Sequence, residues 1–308
     1  MNAFVDLQQT SSLIEKMSNE EYHLRPEFSS SQLKDMLRSG AHFYSHNIIK
    51  EHERESKKHL DFGTLAHTLF LEPEQFENEF AIIPADAPKP PTDTMRNAKN
   101  PSEDSIKRVE WWDNFAAQHG TKITITAELF AGAQRIAENL RSLSSYKVMQ
   151  NNYGMAEASI FFTDPVFDLR LRVRPDYHIA PCSAFPNGLI FDVKTTRDAR
   201  QFKFSRDSGD YGYDLSAAMY REGFQEYYGT EDKPPFIYLL AENTAPFLPK
   251  QYIAADLFIS VGEARYNKAK TLLAESLLIN QWDGYSTDLE ELYLPSYMTK
   301  QALENDFH

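Results

Sequence analysis

The sequence predicts an α/β core with a helical N-terminal extension. Helical patterns come first, strand patterns cluster between residues 156 and 194, and helix, strand and helix patterns follow in that order. The composition, 42% hydrophobic and 25% charged residues, is close to the average of globular proteins. With 308 residues, the chain is long enough for one enlarged α/β domain or two modest ones.

Two helices are predicted in the N-terminal part. Residues 29–40 (SSSQLKDMLRSG) place Ser29 and Gln32 at capping-box spacing and end on Gly40, a residue type that suits the position after a helix. Further on, apolar residues recur at helical spacing and stop before a proline. His67 lies on this second helix, whose apolar residues are Leu65, Ala66, Leu69 and Phe70.

A proline-rich stretch separates these helices from the rest of the chain. Residues 84–104 contain five prolines and few apolar residues, which predicts an exposed loop and the best candidate linker. Trp111 and Trp112 follow, and we interpret them as packing residues of the next helix rather than as a wedge for a DNA end. Thr126 then begins a helix with one apolar face, formed by Leu129, Ala133, Ile136, Ala137 and Leu140.

Strand patterns occupy residues 156–162, 169–176 and 188–194. In the second, alternation places the apolar residues on one face and three arginines on the other, where they suit either phosphates or a solvated surface. These arginines are Arg170, Arg172 and Arg174. The third is continuously apolar, as is typical of a strand covered on both faces. A helix over 214–228, a strand over 236–241 and a helix over 261–279 complete the pattern. The inward residues of the last helix are predicted to be Ala269, Leu272, Leu273 and Leu277.

The charge distribution argues against indiscriminate binding to a polyanion. The net charge is −13, but the window from Asp164 to Arg206 holds eight basic and five acidic residues, a local excess of +3. Cys182 is the only cysteine, so neither an internal disulfide nor a cysteine-rich zinc site is expected. There is no signal-peptide pattern and no apolar run of about 20 residues, so a cytoplasmic protein without membrane association is expected.

The most informative spacing joins Pro175-Asp176 to Asp192-Val193-Lys194, with fifteen residues between the two aspartates. A hairpin brings two strand ends together, and the two-residue period of a strand puts Asp192 and Lys194 on the same face. Carboxylate oxygens suit Mg²⁺, and a nearby ammonium can orient or deprotonate a water or stabilise charge on a phosphate. The alternative is an exposed ion pair, which is less favoured at the end of a buried strand.

His67, four residues after Gly63, is a further candidate ligand. A neutral imidazole can complete a metal site begun by two carboxylates, and the glycine permits a close approach. The alternative is an ordinary, partly exposed helix histidine. No Walker loop, dinucleotide-binding fingerprint or G-x-S-x-G motif occurs, so no nucleotide cofactor is expected.

The order G-x-x-x-H, P-D, D-x-K resembles the PD-(D/E)xK nuclease superfamily. Within it, the chain is similar from about residue 22 to 297 to the C-terminal nuclease domain of RecE-type exonucleases (exodeoxyribonuclease VIII). The segments that carry this resemblance are YHLRPEFSSSQLKDM, LDFGTLAHTLFLEPEQFENEF, KITITAEL, AEASIFF, LRVRPD, FDVKTTRDARQF and LYLPSYM. It implies a restriction-endonuclease-like core, a central mixed β-sheet flanked by helices, in a single domain over 22–308 after an extension over 1–21.

The resemblance also implies the site. The metal ligands are His67, Asp176 and Asp192, with the backbone carbonyl of Val193 and the side chain of Glu157 as further ligands. Lys194 is the catalytic lysine and acts with Asp176 and Asp192. The family's Q-x-x-x-Y motif appears as Ser216-x-x-x-Tyr220, a change that bears on DNA contacts more than on metal binding. The residues expected to contact DNA are Arg170, Arg172, Arg174, Thr195, Thr196, Arg197 and Tyr220.

The activity implied is that of a Mg²⁺-dependent 5′→3′ exodeoxyribonuclease, with Mn²⁺ as a possible substitute. It would act on linear double-stranded DNA ends and leave 3′ single-stranded tails for homologous recombination or repair. The resemblance further implies a homo-oligomeric ring, a single-strand annealing protein as partner, and the cytoplasm of a bacterial or phage-infected cell. Two alternatives stay open: an endonuclease on the same core, and a weakly active module that binds DNA ends or a protein.

Overall fold

The structure is a computed structural model that describes residues 11–51 and 62–294. The first ten residues of the predicted extension, and the last part of the LYLPSYM segment, lie outside the described residues. The described part contains ten strands and twelve α-helices, with a π-helical turn at Tyr44–Ile48 and a 3₁₀ turn at Pro73–Gln75. In chain order they are β1 (Ser11–Ile14), α1 (Asn19–Leu24), α2 (Ser30–Arg38), α3 (Gly40–Phe43), α4 (Phe62–Leu71), α5 (Phe76–Glu79), β2 (Phe80–Ile83), α6 (Asp93–Arg96), α7 (Glu103–His119), β3 (Ile123–Thr126), α8 (Ala127–Arg141), α9 (Ser144–Asn151), β4 (Gly154–Ala156), β5 (Ser159–Thr163), β6 (Arg170–Val173), β7 (Tyr177–Ile179), β8 (Leu189–Thr196), α10 (Gln201–Asp210), α11 (Tyr213–Tyr228), β9 (Phe236–Glu242), β10 (Pro249–Ile253) and α12 (Asp256–Ile279).

A five-stranded mixed sheet lies at the centre, in the order β10-β9-β8-β7-β4. Strands β8 and β9 are parallel, and the other neighbouring pairs are antiparallel. A three-stranded antiparallel sheet, β1-β5-β6, and a parallel pair, β2-β3, complete the strands. The predicted α/β class with a mixed sheet flanked by helices is confirmed.

Two hydrophobic cores cover the two faces of the central sheet. On one face, Ile190 of β8 packs with buried residues of α2, α11 and α12. On the other face, Phe191 and Val193 of β8 pack with buried residues of α4 and α8. Strand β8 is therefore covered on both sides, as its apolar run predicted, and any charged side chain along it must find a partner close by.

The predicted helices form, with differences at their ends. Helix α2 begins after Ser29, whose backbone N–H donates to Gln32 Oε1 at 2.8 Å, as in a capping box. Gly40 follows the C-cap residue Ser39, at the position predicted for it, and it is also the first residue of α3. A Cβ at Gly40 would lie 3.0 Å from the backbone nitrogen of Asp283, so a close approach of two chain segments explains this glycine. Leu277, predicted to face inward on α12, is 41% exposed.

The strand predicted over 156–162 is interrupted at Glu157. Strand β4 ends at Ala156, β5 starts at Ser159, and Glu157 between them has a positive φ of 53°. The backbone N–H of Glu157 donates to the carbonyl of Asp176 at 3.1 Å. The interruption lets the chain pass from the central sheet to the three-stranded sheet and turns Glu157 toward Asp176.

The predicted N-terminal extension is partly built into the fold. Strand β1 pairs with β5, with Ser11 opposite Phe162, and the predicted boundary at residue 22 falls inside α1. The proline-rich stretch lies against α7, where Trp112 Nε1 donates to the Pro88 carbonyl at 3.0 Å. No helix in residues 11–51 or 62–294 has the length and apolar character needed to cross a membrane.

Candidate active site

The two central carboxylates lie side by side on β7 and β8. Tyr177 is opposite Phe191 in the antiparallel pairing, so Asp176, one residue earlier, stands next to Asp192, one residue later. Asp192 does not end its strand as expected. Strand β8 continues to Thr196 because residues 192–196 also pair with β9. The backbone N–H of Val193 donates to Asp176 Oδ2 at 2.6 Å and fixes this carboxylate.

Lys194 reaches both carboxylates. Its Nζ is 2.5 Å from Asp192 Oδ2 and 3.7 Å from Asp176 Oδ2. It also donates to the backbone carbonyl of Val193 at 3.3 Å. The prediction that Asp192 and Lys194 share a face of the strand holds, since both follow Ile190 at the two-residue period. Lys194 thus holds its ammonium in a fixed position at the edge of the carboxylate pair.

Helix α4 and the turn before β5 bring two further side chains to this place. His67 Nε2 is 3.4 Å from Asp176 Oδ2 and 3.4 Å from Glu157 Oε1. One ligand atom from each of His67, Glu157 and Asp176 lies within 4.8 Å of the others. Among the described residues this is the one group with such spacing. Asp192 stands outside it, with its carboxylate turned to Lys194.

The electrostatics reflect crowding of carboxylates away from water. Burial, followed by repulsion from Asp176, raises the pKa of Glu157 to about 7, with His67 acting in the opposite direction. Burial also raises the pKa of Asp192, although Lys194 favours the carboxylate. For Asp176 burial acts the same way, but Lys194, His67 and the N–H of Val193 outweigh it and lower the pKa. Two of the three acids are therefore harder to ionise than usual.

His67 and Lys194 show the converse effect. Burial opposes protonation of His67, but the charge and hydrogen bond of Asp176, together with Glu157, raise the pKa of the imidazole to about 9. Burial likewise disfavours the ammonium of Lys194, and Asp192 and Asp176 overcome it and raise its pKa. Positive charge is thus strongly favoured at this position.

The residues present fit a divalent cation. The group offers two carboxylate oxygens and one imidazole nitrogen, and the carbonyl of Val193 lies beside them. Carboxylate, carbonyl and water ligands suit Mg²⁺ and Mn²⁺, and imidazole is a common ligand of divalent metals. A cation among Glu157, Asp176 and Asp192 would favour the charged forms that burial and mutual repulsion oppose.

The cluster opens into a cleft of about 780 Å³. His67, Glu157, Val193, Lys194 and Thr195 line it, together with the turn after α4 and the chain segment 15–19. The sequence alone indicates no role for this segment. The sequence pattern that could have indicated local order here is Ser18-x-x-Glu21, a capping box that begins α1 in the structure.

The three arginines at β6 and directly after it do not form an open face, so that expectation is wrong. Arg172 is buried, and its guanidinium donates to the carbonyls of Arg25 and Glu27. Arg174 is buried too and donates to Ser159 Oγ and to Asn19 Oδ1, both at 2.8 Å, while one edge still lines the cleft. The chain around α1 covers this side of the strand. Arg170 keeps a side chain that is 64% exposed and pairs with Glu27.

The remaining predicted DNA contacts differ in their access to the cleft. Thr195 lines it, whereas Thr196 is buried and its Oγ1 donates to the carbonyl of Asp198 at 3.3 Å. Arg197 is exposed. Tyr220 packs beside Phe236, and burial raises its pKa well above the usual value.

Comparison with known proteins gives one family and one shared fold. The family model described as a PDDEXK-like domain of unknown function (DUF3799) matches residues 29–284. No curated protein matches the sequence. The crystal structure of a protein described as a "putative exonuclease" from Eubacterium rectale has a TM-score of 0.53 at 13% identity, over 93% of this chain and 98% of that chain. The structure of SSO0001 has a TM-score of only 0.28 at 13% identity, over 71% and 85% of the two chains.

Proposed function

The chain belongs to the PDDEXK-like family DUF3799, and from this premise we propose that it is a Mg²⁺-dependent 5′→3′ exodeoxyribonuclease that acts on linear double-stranded DNA. One observation carries the proposal: ligand atoms of His67, Glu157 and Asp176 lie within 4.8 Å of one another, and Lys194 Nζ is 3.7 Å from Asp176 Oδ2. Polarity, and a role in making 3′ single-stranded tails for recombination, rest on the resemblance to RecE-type nucleases.

In this proposal His67, Glu157 and Asp176 hold the cation, with Asp192 and the carbonyl of Val193 as further ligands. When bound, a divalent cation would offset the negative charge that grows on the phosphate as its ester bond breaks. Mn²⁺ would be able to replace Mg²⁺ in this role. Lys194 adds a second positive charge and orients the attacking water. Asp192 holds that ammonium in place at 2.5 Å.

The protein groups around the cluster hold it ready for the reaction. The N–H of Val193 fixes the Asp176 carboxylate at 2.6 Å, so the ligand does not have to reorganise when substrate arrives. His67 comes from a helix and Lys194 from a strand buried on both faces, which restricts the movement of both side chains. Such preorganisation is the main contribution of protein to phosphoryl-group chemistry.

We propose different roles for the predicted DNA contacts. Arg170, Arg197 and Thr195 have the exposure needed to meet phosphates directly. The buried residues of this set are proposed to contribute indirectly, by stabilising the structure around the cleft: Arg172, Arg174, Thr196 and Tyr220. One edge of Arg174 is also accessible from the cleft. The same resemblance leads us to propose a homo-oligomeric ring in the bacterial or phage-infected cytoplasm and a single-strand annealing protein as partner. A ring would let a chain of net charge −13 repel DNA outside and admit an end inside.

End-labelled linear duplex DNA tests the activity. With Mg²⁺, the label at the 5′ end should be released first as mononucleotide, while a 3′ label stays on a shortening strand. Without divalent cation no label should be released. Asp192→Ala and Lys194→Ala should abolish the loss of duplex, and Asp210→Asn, at an exposed acid of α10, should not.

Three results would contradict the proposal. Release of the 3′ label first would refute the polarity. Cleavage of covalently closed circular DNA would indicate an endonuclease on the same core. Full activity of folded Asp192→Ala and Lys194→Ala variants would refute the assignment of the site.

A further inference from the structure

Helices α2 and α11 pack side by side next to the candidate active site. Ser216 Oγ of α11 donates to Ser30 Oγ of α2 at 3.3 Å. One helical turn after Ser30, the stem of Lys34 lies against Gly212, immediately before α11. A Cβ on Gly212 would be 3.2 Å from Lys34 Cε and 3.4 Å from Cδ. Lys34 therefore runs along the first turn of α11 toward the cleft.

The ammonium groups of Lys34 and Lys194 lie near the same aromatic ring. Lys34 Nζ is 5.7 Å from the centroid of the Tyr213 ring, and Lys194 Nζ is 5.6 Å from the same centroid. Tyr213 itself lines the cleft. Two lysines from distant parts of the chain thus place their charges around one ring at the edge of the site.

Lys34 differs from Lys194 in having no carboxylate partner among the residues that the structure describes. Lys194 is paired with Asp192 and Asp176, whereas among residues 11–51 and 62–294 no carboxylate oxygen lies within 4 Å of Lys34 Nζ. The side chain is half-buried. Burial, then repulsion from Lys194, lowers the pKa of Lys34 to about 8, although Asp192 and Asp214 act in the opposite direction. An unpaired cation is costly in such a place, which makes a purely structural role unsatisfactory.

We propose that Lys34 binds a phosphate of the nucleic-acid strand, next to the phosphate that is cleaved at Lys194. A compact ammonium is suited to a single phosphate oxygen, and a phosphate would supply the negative partner that none of the described residues provides. The inference rests on the proposed function, because it requires a nucleic-acid substrate. The phosphate is either an internal phosphodiester or a terminal phosphate, and both have the chemistry that Lys34 would recognise.

The test compares Lys34→Met and Lys34→Arg with the wild type and with Lys147→Met, which changes an exposed lysine of α9. Binding of fluorescent linear duplex is measured without divalent cation over a range of salt concentrations. Lys34→Met should bind on the order of tenfold more weakly at low salt. Its slope of log K against log salt should be smaller in magnitude by about 0.9, the value for one lost phosphate contact. Lys34→Arg and Lys147→Met should keep the wild-type slope.

Duplexes with a 5′-phosphate or a 5′-hydroxyl distinguish the two sources of phosphate. A terminal contact predicts tighter binding of the phosphorylated end by the wild type and loss of this difference in Lys34→Met. An internal contact predicts that Lys34→Met weakens both duplexes equally. Thermal unfolding separates binding from structure, since Lys34→Met should unfold at a temperature no lower than the wild type.

An unchanged salt slope in a folded Lys34→Met variant would overturn the inference. If this occurs while the wild type still cleaves linear DNA with Mg²⁺, the proposed function stands and only the role of Lys34 is refuted. If the wild type neither binds nor cleaves DNA, both fail.

Discussion

A buried ion pair between α12 and the residue after β5 leads to a quantitative prediction. Lys270 of α12 is 5% exposed in its side chain, and its Nζ lies 2.5 Å from Oδ2 of the fully buried Asp164. It also donates to Glu222 Oε1 at 3.1 Å, which in turn accepts from the Tyr266 hydroxyl at 2.8 Å. Lys270 thereby links α12 and α11 to the turn between β5 and β6.

Replacing Lys270 by methionine should lower the free energy of unfolding by about 3–5 kcal/mol, the usual cost of leaving a buried charge without its partner. Within the described part of the chain, the Asp164 carboxylate would keep only the backbone N–H groups of Val166 and Phe167, at 3.1 and 2.8 Å from Oδ1. A loss of this size is a large share of the ~5–15 kcal/mol that stabilises a typical domain. Glu222, with 16% side-chain exposure, can turn partly to water, which favours the lower end of the range.

Urea denaturation at pH 7 measures this effect. Lys268→Met, at an exposed lysine of the same helix, is the matched control and should change the free energy of unfolding by no more than about 0.5 kcal/mol. Adding Asp164→Asn to Lys270→Met should recover part of the loss, because it removes the stranded charge. A loss below about 1 kcal/mol for Lys270→Met, or fully additive losses in the double variant, would refute the reasoning.

Three further predictions concern packing, pH and metal binding. Gly262→Ala should lower the free energy of unfolding by about 1–3 kcal/mol in thermal denaturation, because a Cβ there would lie 2.1 Å from the carbonyl oxygen of Asp214. Gly209→Ala is the control, since a Cβ at that position would have no atom within 4 Å, and this variant should be as stable as the wild type or more stable. Because the pKa of Lys34 is lowered to about 8 in the folded state, the unfolded chain binds more protons between pH 8 and about 10.5. Wild-type stability should therefore rise relative to Lys34→Met by on the order of 1–3 kcal/mol over that window in urea titrations, and a fall would contradict the sign. Mg²⁺ or Mn²⁺ at about 100 times its dissociation constant should stabilise the wild type by about 2.7 kcal/mol, and the melting temperature of Asp176→Asn should not respond.

Local patterns predicted much of the site. The apolar run before Asp192 predicted a strand covered on both faces, and the two-residue period placed Asp192 and Lys194 together. Helical spacing put His67 on α4, and Thr126 caps α8 as its position suggested. Each of these features depends on residues close together in the chain, so the sequence shows them directly.

The sequence by itself determined the α/β class, the helices with readable caps, and the side chains that share a face of β8. Only the tertiary structure decided what covers each face and which distant groups meet. Alternation predicted that Arg172 and Arg174 share a face, but the segment around α1 buries them. Glu157 meets His67 because the chain turns at a positive φ, and Lys34 reaches Tyr213 because α2 packs on α11. These contacts join residues far apart in the chain, and their energies depend on burial and charge in the assembled core, which no local pattern records.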